Sequence, residues 1–163
     1  MSGLERGYVQ IYTGGGKGKT TAALGLCARA LGADLDVRMF QFMKKLQCSE
    51  HEFAERVGLP VKQVEPGDLK TMNRALFEEA LSSYQGGVDV LVLDEVGEAL
   101  RRGFLTREDI ERAVAEKPVT VELVMTGRGL VETIGDLADL ITEMQPIKHY
   151  FDEGVMARKG IEY

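Results

Sequence analysis

Apolar positions along the chain fall into two rhythms. Short runs at residues 8–12, 36–42, 61–64, 88–94 and 119–125 alternate or stay continuously apolar, which predicts strands. Between them, apolar residues at helical spacing predict helices over 19–31, 50–57 and 71–84. In the first helix Ala22, Ala23, Leu24, Leu26 and Ala30 form the expected buried side, with Gly32 as the stop. Gly58 closes the second. Met72, Ala75, Leu76, Ala80 and Leu81 line the third, which ends at Gly86-Gly87. Thr106 caps a further helix, with Glu108 and Asp109 in its first turn where acidic groups favour the dipole. Residues 136–143 read as a helix end followed by a short strand, Leu140-Ile141-Thr142. The run at 88–94 is so uniformly apolar that both of its faces must be covered. Strand alternating with helix predicts one parallel sheet with helices on both faces, and in such sheets ligands sit at the carboxyl ends of the strands.

The joint between the first strand and the first helix carries the chemistry. Thr13-Gly14-Gly15-Gly16-Lys17-Gly18-Lys19-Thr20 can turn backbone N–H groups inward onto phosphate oxygens, at a helix N-terminus whose dipole favours anions. Lys19 can reach the terminal phosphates and the Thr20 hydroxyl a magnesium ion. The expected fold class is therefore α/β, P-loop NTPase-like, with a doubly wound, mostly parallel sheet. One departure is Thr13, where the usual pattern has glycine. Asp94-Glu95 ends the most apolar strand, where a carboxylate can complete the magnesium ligands. Either acid could instead cap the next helix. Thr126-Gly127-Arg128-Gly129 follows another buried strand, so Arg128 points at the same sheet edge and can contact phosphate, or else simply be solvated.

Composition narrows the possibilities. The 163 residues make one domain, large enough for a core without disulfides. A net charge of −6 argues against a nucleic-acid or anionic-membrane surface. No apolar run approaches a membrane span, and residues 1–7 are too short and polar for a targeting segment. Two cysteines, Cys27 and Cys48, fit a cytoplasmic protein. No cysteine–histidine cluster has zinc-like spacing, no hydrolase constellation is visible, and His51 has no evident partner. His149 reads as structural and the charged tail at 157–163 as solvated.

Taken together, residues 12–23, Gln41-Phe42, Leu93-Asp94-Glu95, Thr126-Gly127-Arg128-Gly129, Leu137-Ala138-Asp139, Thr142-Glu143-Met144 and the tail at 154–163 resemble the P-loop ATP:corrinoid adenosyltransferases of cobalamin biosynthesis. Thr13 at the first loop position is usual in that family, and the tail separates it from other P-loop proteins. The resemblance implies transfer of the 5′-deoxyadenosyl group of ATP to the cobalt of a reduced corrinoid, with triphosphate leaving. It also implies that ATP sits with its phosphates reversed relative to P-loop hydrolases. By position, Thr13, Gly14, Gly15, Gly16, Lys17, Gly18, Lys19, Thr20, Thr21, Arg29 and Arg128 would bind the nucleotide. Thr20, Asp94 and Glu95 would hold Mg2+, and Lys19, Thr20 and Glu95 would carry the catalytic duties. A homodimer and an electron-donating reductase are further implied, with residues 100–105 and the tail as candidate interface elements. Relatives that act on cob(II)alamin carry a Gly-Phe-x-Trp pattern before the third main helix. Here the corresponding residues are Gly67-Asp68-Leu69-Lys70 and the chain has no Trp, so corrinoid preference does not transfer. The N-terminal extension that closes over the site in longer members is nearly absent. A P-loop kinase or NTPase, and a non-enzymatic nucleotide-binding or adenosylcorrinoid-binding module, are the alternatives at this stage.

Overall fold

The computed structural model describes residues 3–44 and 48–163; the first two residues of the polar N-terminal stretch lie outside them. Among the described residues six strands form one sheet: β1 (Val9–Thr13), β2 (Val37–Gln41), β3 (Val61–Gln63), β4 (Val90–Asp94), β5 (Glu122–Thr126) and β6 (Leu140–Glu143). Their order is β3-β2-β4-β5-β1-β6 and every pairing is parallel. Six helices accompany them: α1 (Lys19–Leu31), α2 (Ser49–Val57), α3 (Leu69–Ser82), α4 (Val96–Arg101), α5 (Arg107–Glu116) and α6 (Leu130–Ile134).

The pleat of β4 shows why the fold is layered. Val90 and Val92 point to one face, where Ala23, Cys27 and Ala30 of α1 and Ala54 of α2 pack with Met39 and Val124. Leu91 and Leu93 point to the other, against Leu76 and Phe77 of α3, Val96 of α4, Ile110 of α5 and Leu130 of α6. All five residues of β4 and of β5 are buried, as a strand covered on both faces requires. No helix is long and apolar enough to cross a membrane among the described residues.

Several expectations shift by a turn or less. The buried side of α1 is Ala23, Cys27 and Ala30, with Ala22, Leu24 and Leu26 only half-buried. Burial pushes the Cys27 thiol up to about 12, so it behaves as a small apolar group. On α3 the core face carries Asn73 and Phe77 while Ala75 is exposed, and Asp68 caps the helix by accepting the Thr71 N–H at 2.9 Å. The expected strand at 119–125 begins only at Glu122, because Pro118 enters a turn closed by the Val121 N–H on its carbonyl and Val119 is left exposed. The helix after Asp94-Glu95 and the one ending near residue 136 had no bounds in the sequence; α4 and α6 are both too short for an apolar period to register. Leu105 is buried in the core with the half-buried Leu100 and Phe104 packed against it, while residues 101–103 of the expected interface element are exposed.

Because the chain leaves β1 for a distant strand on one side and closes with β6 on the other, the exits of β1, β4, β5 and β6 share one edge of the sheet.

Candidate active site

Thr13 is the last residue of β1, in register with Glu143 of β6, and its φ is not positive. A β-branched residue suits that place, which accounts for the missing glycine. The loop glycines answer a different constraint. The chain leaving β6 runs directly behind the loop: Thr13 O accepts the Met144 N–H at 2.9 Å and the Gly16 N–H donates to Met144 O at 2.7 Å. A Cβ on Gly14 would come within 2.4 Å of Met144 O, and one on Gly16 within 2.7 Å. Gly14 and Gly18 also have φ of +98° and +118°. Met144 thus presses the loop into its curve.

At the start of α1 no side chain caps the N-terminus and no acid occupies the first turn, whereas α5 has the full Thr106–Asp109 capping box. The N–H groups that α5 satisfies internally are left at α1 for an external anion. Gly15 to Thr21, Glu95, Arg128, His149, Ile161 and Glu162 line a pocket of about 320 Å³ there. Lys19 Nζ donates to the loop carbonyls of Gly14 (2.9 Å) and Gly16 (2.8 Å). Burial lowers its pKa, opposed by the nearby Glu95. Arg128 reaches the Gly15 carbonyl at 3.5 Å.

Behind Thr20 sits Asp94, wholly buried. Its Oδ1 accepts the hydroxyls of Thr20 (2.9 Å) and Thr126 (2.7 Å); its Oδ2 accepts Gln41 Nε2 (3.1 Å) and Lys44 Nζ (3.0 Å). Four donors satisfy a charge that burial alone would make costly. Burial works against the Lys44 charge too, yet Asp94, with Glu50 and Glu95, outweighs it and raises the Lys44 pKa. The Thr20 hydroxyl proton is spent on Asp94, so its lone pairs are directed elsewhere. Glu95, unlike Asp94, opens onto the pocket. It stands at φ +59°, an unusual angle for a residue with a side chain, and its N–H is held by Thr126 Oγ1 at 2.9 Å. Burial, with Asp94 adjacent, raises its carboxyl pKa. Thr20 and Glu95 thus supply hard oxygen donors of the kind magnesium takes, whereas the expected third ligand, Asp94, has both oxygens filled by its four donors and stands behind them.

Arg29 is not brought to this pocket. It lies in the last turn of α1, ten residues and roughly 15 Å of helix rise from Lys19. The tail, expected to be solvated, is exposed but folds over the loop: Lys17 Nζ donates to Ile161 O at 2.9 Å and Ser49 Oγ to Tyr163 O at 3.0 Å. Glu162 is gripped by Tyr150 and by the Arg158 N–H at 2.8 Å, and the Arg158 and Tyr150 bonds lower its pKa to about 2. His149 takes the Phe151 N–H at 3.1 Å, a structural duty as expected, while also lining the pocket.

His51 does have partners. Its Nδ1 is 2.9 Å from the Cys48 N–H and its Nε2 is 2.7 Å from Gln41 Oε1. Cys48, Glu50 and His51 place ligand atoms within 4.8 Å of one another, a grouping their spacing did not suggest. Both ring nitrogens are already committed, so the group reads as the cap of α2 rather than as a metal centre.

Gly97 and Gly127 meet backbone to backbone, and a Cβ on Gly97 would lie 2.9 Å from Gly127 Cα and 2.8 Å from Arg128 O. That contact sets the loop carrying Arg128 beside Glu95. Gly97→Ala should cost about 1–3 kcal/mol through overpacking, measurable by urea unfolding, and should weaken binding of anions at the loop by displacing Arg128.

Comparison with known proteins gives a match over nearly the whole chain. Residues 5–163 match the family model described as ATP:corrinoid adenosyltransferase BtuR/CobO/CobP. The corrinoid adenosyltransferase CobA of Salmonella typhimurium is 36% identical, over 98% of this chain and 87% of its own length. The corrinoid adenosyltransferases of Escherichia coli and Pseudomonas aeruginosa are 34% and 33% identical over the same share of this chain, and over 87% and 85% of their own. The nucleotide-shaped loop at the end of β1, the acids at the end of β4 and the folded-back tail are therefore those of a chain that belongs to the ATP:corrinoid adenosyltransferase family.

Proposed function

We propose that the pocket at the end of β1 binds the triphosphate of ATP and that the enzyme transfers the 5′-deoxyadenosyl group to the cobalt of a reduced corrinoid. The carrying observation is the uncapped α1 N-terminus inside a glycine loop, in a chain that matches the family from residue 5 to residue 163. A phosphoryl-transfer role or a purely binding role is not favoured by so complete a match.

In the transfer, the cobalt electron pair forms a bond to C5′ while the C5′–O bond breaks and its electrons pass to the triphosphate. Cobalt(I) is nucleophilic enough to need no general base. The chain's task is to align C5′ and to hold the charge that develops on the leaving group. Lys19, the loop N–H groups and Arg128 would do that, together with Lys17, which also lines the pocket. Thr20 and Glu95 would hold Mg2+, with Asp94 acting from behind through the Thr20 hydroxyl. Bound there, the ion would neutralise triphosphate charge. Gly14, Gly15, Gly16, Gly18 and Thr21 shape the cradle, and Thr13 anchors it to β6. Arg29 has no part in this arrangement within one chain.

A cytoplasmic reductase is the expected electron source. A homodimer is the expected assembly, supported by the exposed Leu140 and Ile141 on edge strand β6 and the exposed Phe151 and Met156 of the tail.

Anaerobic incubation with MgATP and chemically reduced corrinoids, complete and incomplete, should yield a light-sensitive cobalt–carbon bond and free triphosphate. ADP without that bond would overturn the reading. Lys19→Ala should weaken ATP binding by about 1.5–3 kcal/mol in calorimetry, the worth of a charged hydrogen bond; normal affinity would remove the loop assignment. The raised Glu95 pKa sets a pH dependence: a proton and the cation compete for one carboxylate. Cation affinity should be full above the Glu95 pKa and fall as pH drops through it, at a higher pH than an ordinary carboxylate would give. Metal titrations across that range should show Glu95→Gln flattening the profile.

A further inference from the structure

We propose that Gln41 and His51 are positioning residues for the cation site, forming a directed hydrogen-bond chain that fixes how Asp94 holds the Thr20 hydroxyl. The inference rests on the reading that Thr20 and Glu95, backed by Asp94, hold the divalent cation.

The links from His51 Nε2 to Gln41 and from Gln41 to Asp94 each have one workable direction. The Cys48 N–H can only donate, and it lies 2.9 Å from His51 Nδ1. Nδ1 must then accept, which puts the proton on Nε2, 2.7 Å from Gln41 Oε1. Nδ1 is also 3.1 Å from the Cys48 carbonyl, so a doubly protonated ring would donate there and still donate from Nε2 to Gln41. Gln63 Nε2 approaches the same Gln41 oxygen at 3.4 Å. With its oxygen facing two donors, Gln41 has to present Nε2 to Asp94 Oδ2, 3.1 Å away. A flipped amide would set its oxygen against the carboxylate and its NH2 against the imidazole N–H.

Gln41 is wholly buried and sits directly opposite Asp94 in the β2–β4 register, so the amide has no solvent to turn into. Thr126 steadies the other carboxylate oxygen. The plane of Asp94 is thereby set, and with it the direction in which Thr20 spends its proton. His51 reaches this chain from the first turn of α2, where its ring also closes the helix cap. Neither residue touches the pocket itself. Outer partners of this kind set the affinity of a metal site by orienting the inner ligands.

The test compares Gln41→Met, which keeps volume but removes both links, with His51→Ala and with Asp94→Asn. Mn2+ binding to the ATP-loaded protein is read by electron paramagnetic resonance, ATP binding in EDTA by calorimetry, and melting temperature is followed throughout. The expected result is roughly 10-fold weaker Mn2+ binding in Gln41→Met and His51→Ala, the lower end of the range for outer partners, with ATP binding in EDTA unchanged. Wild-type Mn2+ affinity in both variants, while Asp94→Asn loses it, would overturn the proposal and leave the cation site standing. ATP binding lost in EDTA as much as Mn2+ binding would also overturn it, as the mark of a merely structural role. Unchanged Mn2+ affinity in Asp94→Asn would overturn the proposal and the reading beneath it together. Should Gln41→Met not fold, His51→Ala decides, since that side chain is half-buried at a helix end.

Discussion

A carboxylate with no exposed surface ties this molecule's site together. Asp94 takes hydrogen bonds from Thr20 on α1, Gln41 on β2, Thr126 on β5 and Lys44 beyond β2. Strand pairing brings the ends of β2, β4 and β5 side by side, but it does not set the angle of the loop between β1 and α1. The Asp94–Thr20 bond does. A buried charge tolerates no missing donor, so each of the four segments is held to its place by the same requirement. The glycine loop is thus ordered from two sides, by this aspartate through Thr20 and by the Met144 backbone behind it.

Much of the architecture was legible in the sequence because parallel strands covered on both faces are nearly all apolar. The runs around β1, β2 and β4 could hardly be anything else, and the glycine–lysine–threonine joint pointed to a phosphate ligand. The bounds of short elements escaped: α4 and α6 contain too few residues for a period to show. The faces of α1 and α3 came out rotated because Cys27, Asn73 and Phe77 were given less weight than alanines and leucines nearby.

At the site, residues that follow one another in sequence were easier to find than residues that meet only in space. Thr13 to Thr21, Asp94, Glu95 and Arg128 each end or follow a strand, and the sheet brings most of them to one pocket. Arg29, carried away from the loop by α1, is not among the residues that line this pocket. Lys44, His51, Gln41 as a buried partner, and Glu162 in the tail gave no signal, because their meaning depends on what the fold brings against them: Asp94 against Lys44 and Gln41, 50 and 53 residues away, Gln41 against His51, and Tyr150 and Arg158 against Glu162. The threonine closing β5 was a usable clue: a hydroxyl at the end of an apolar strand needs a buried partner, and Asp94 is that partner.

The Met144 backbone behind the glycine loop has an implication for how such sites can be rebuilt. Two of the glycines are demanded by the chain leaving the last strand, rather than by a phosphate. Loop and final strand therefore form a single interchangeable part. Grafting the loop onto another scaffold, or diversifying it in a library, would succeed only if the segment after β6 travelled with it. Variants chosen on phosphate contacts alone would fail for reasons that have nothing to do with their ligand.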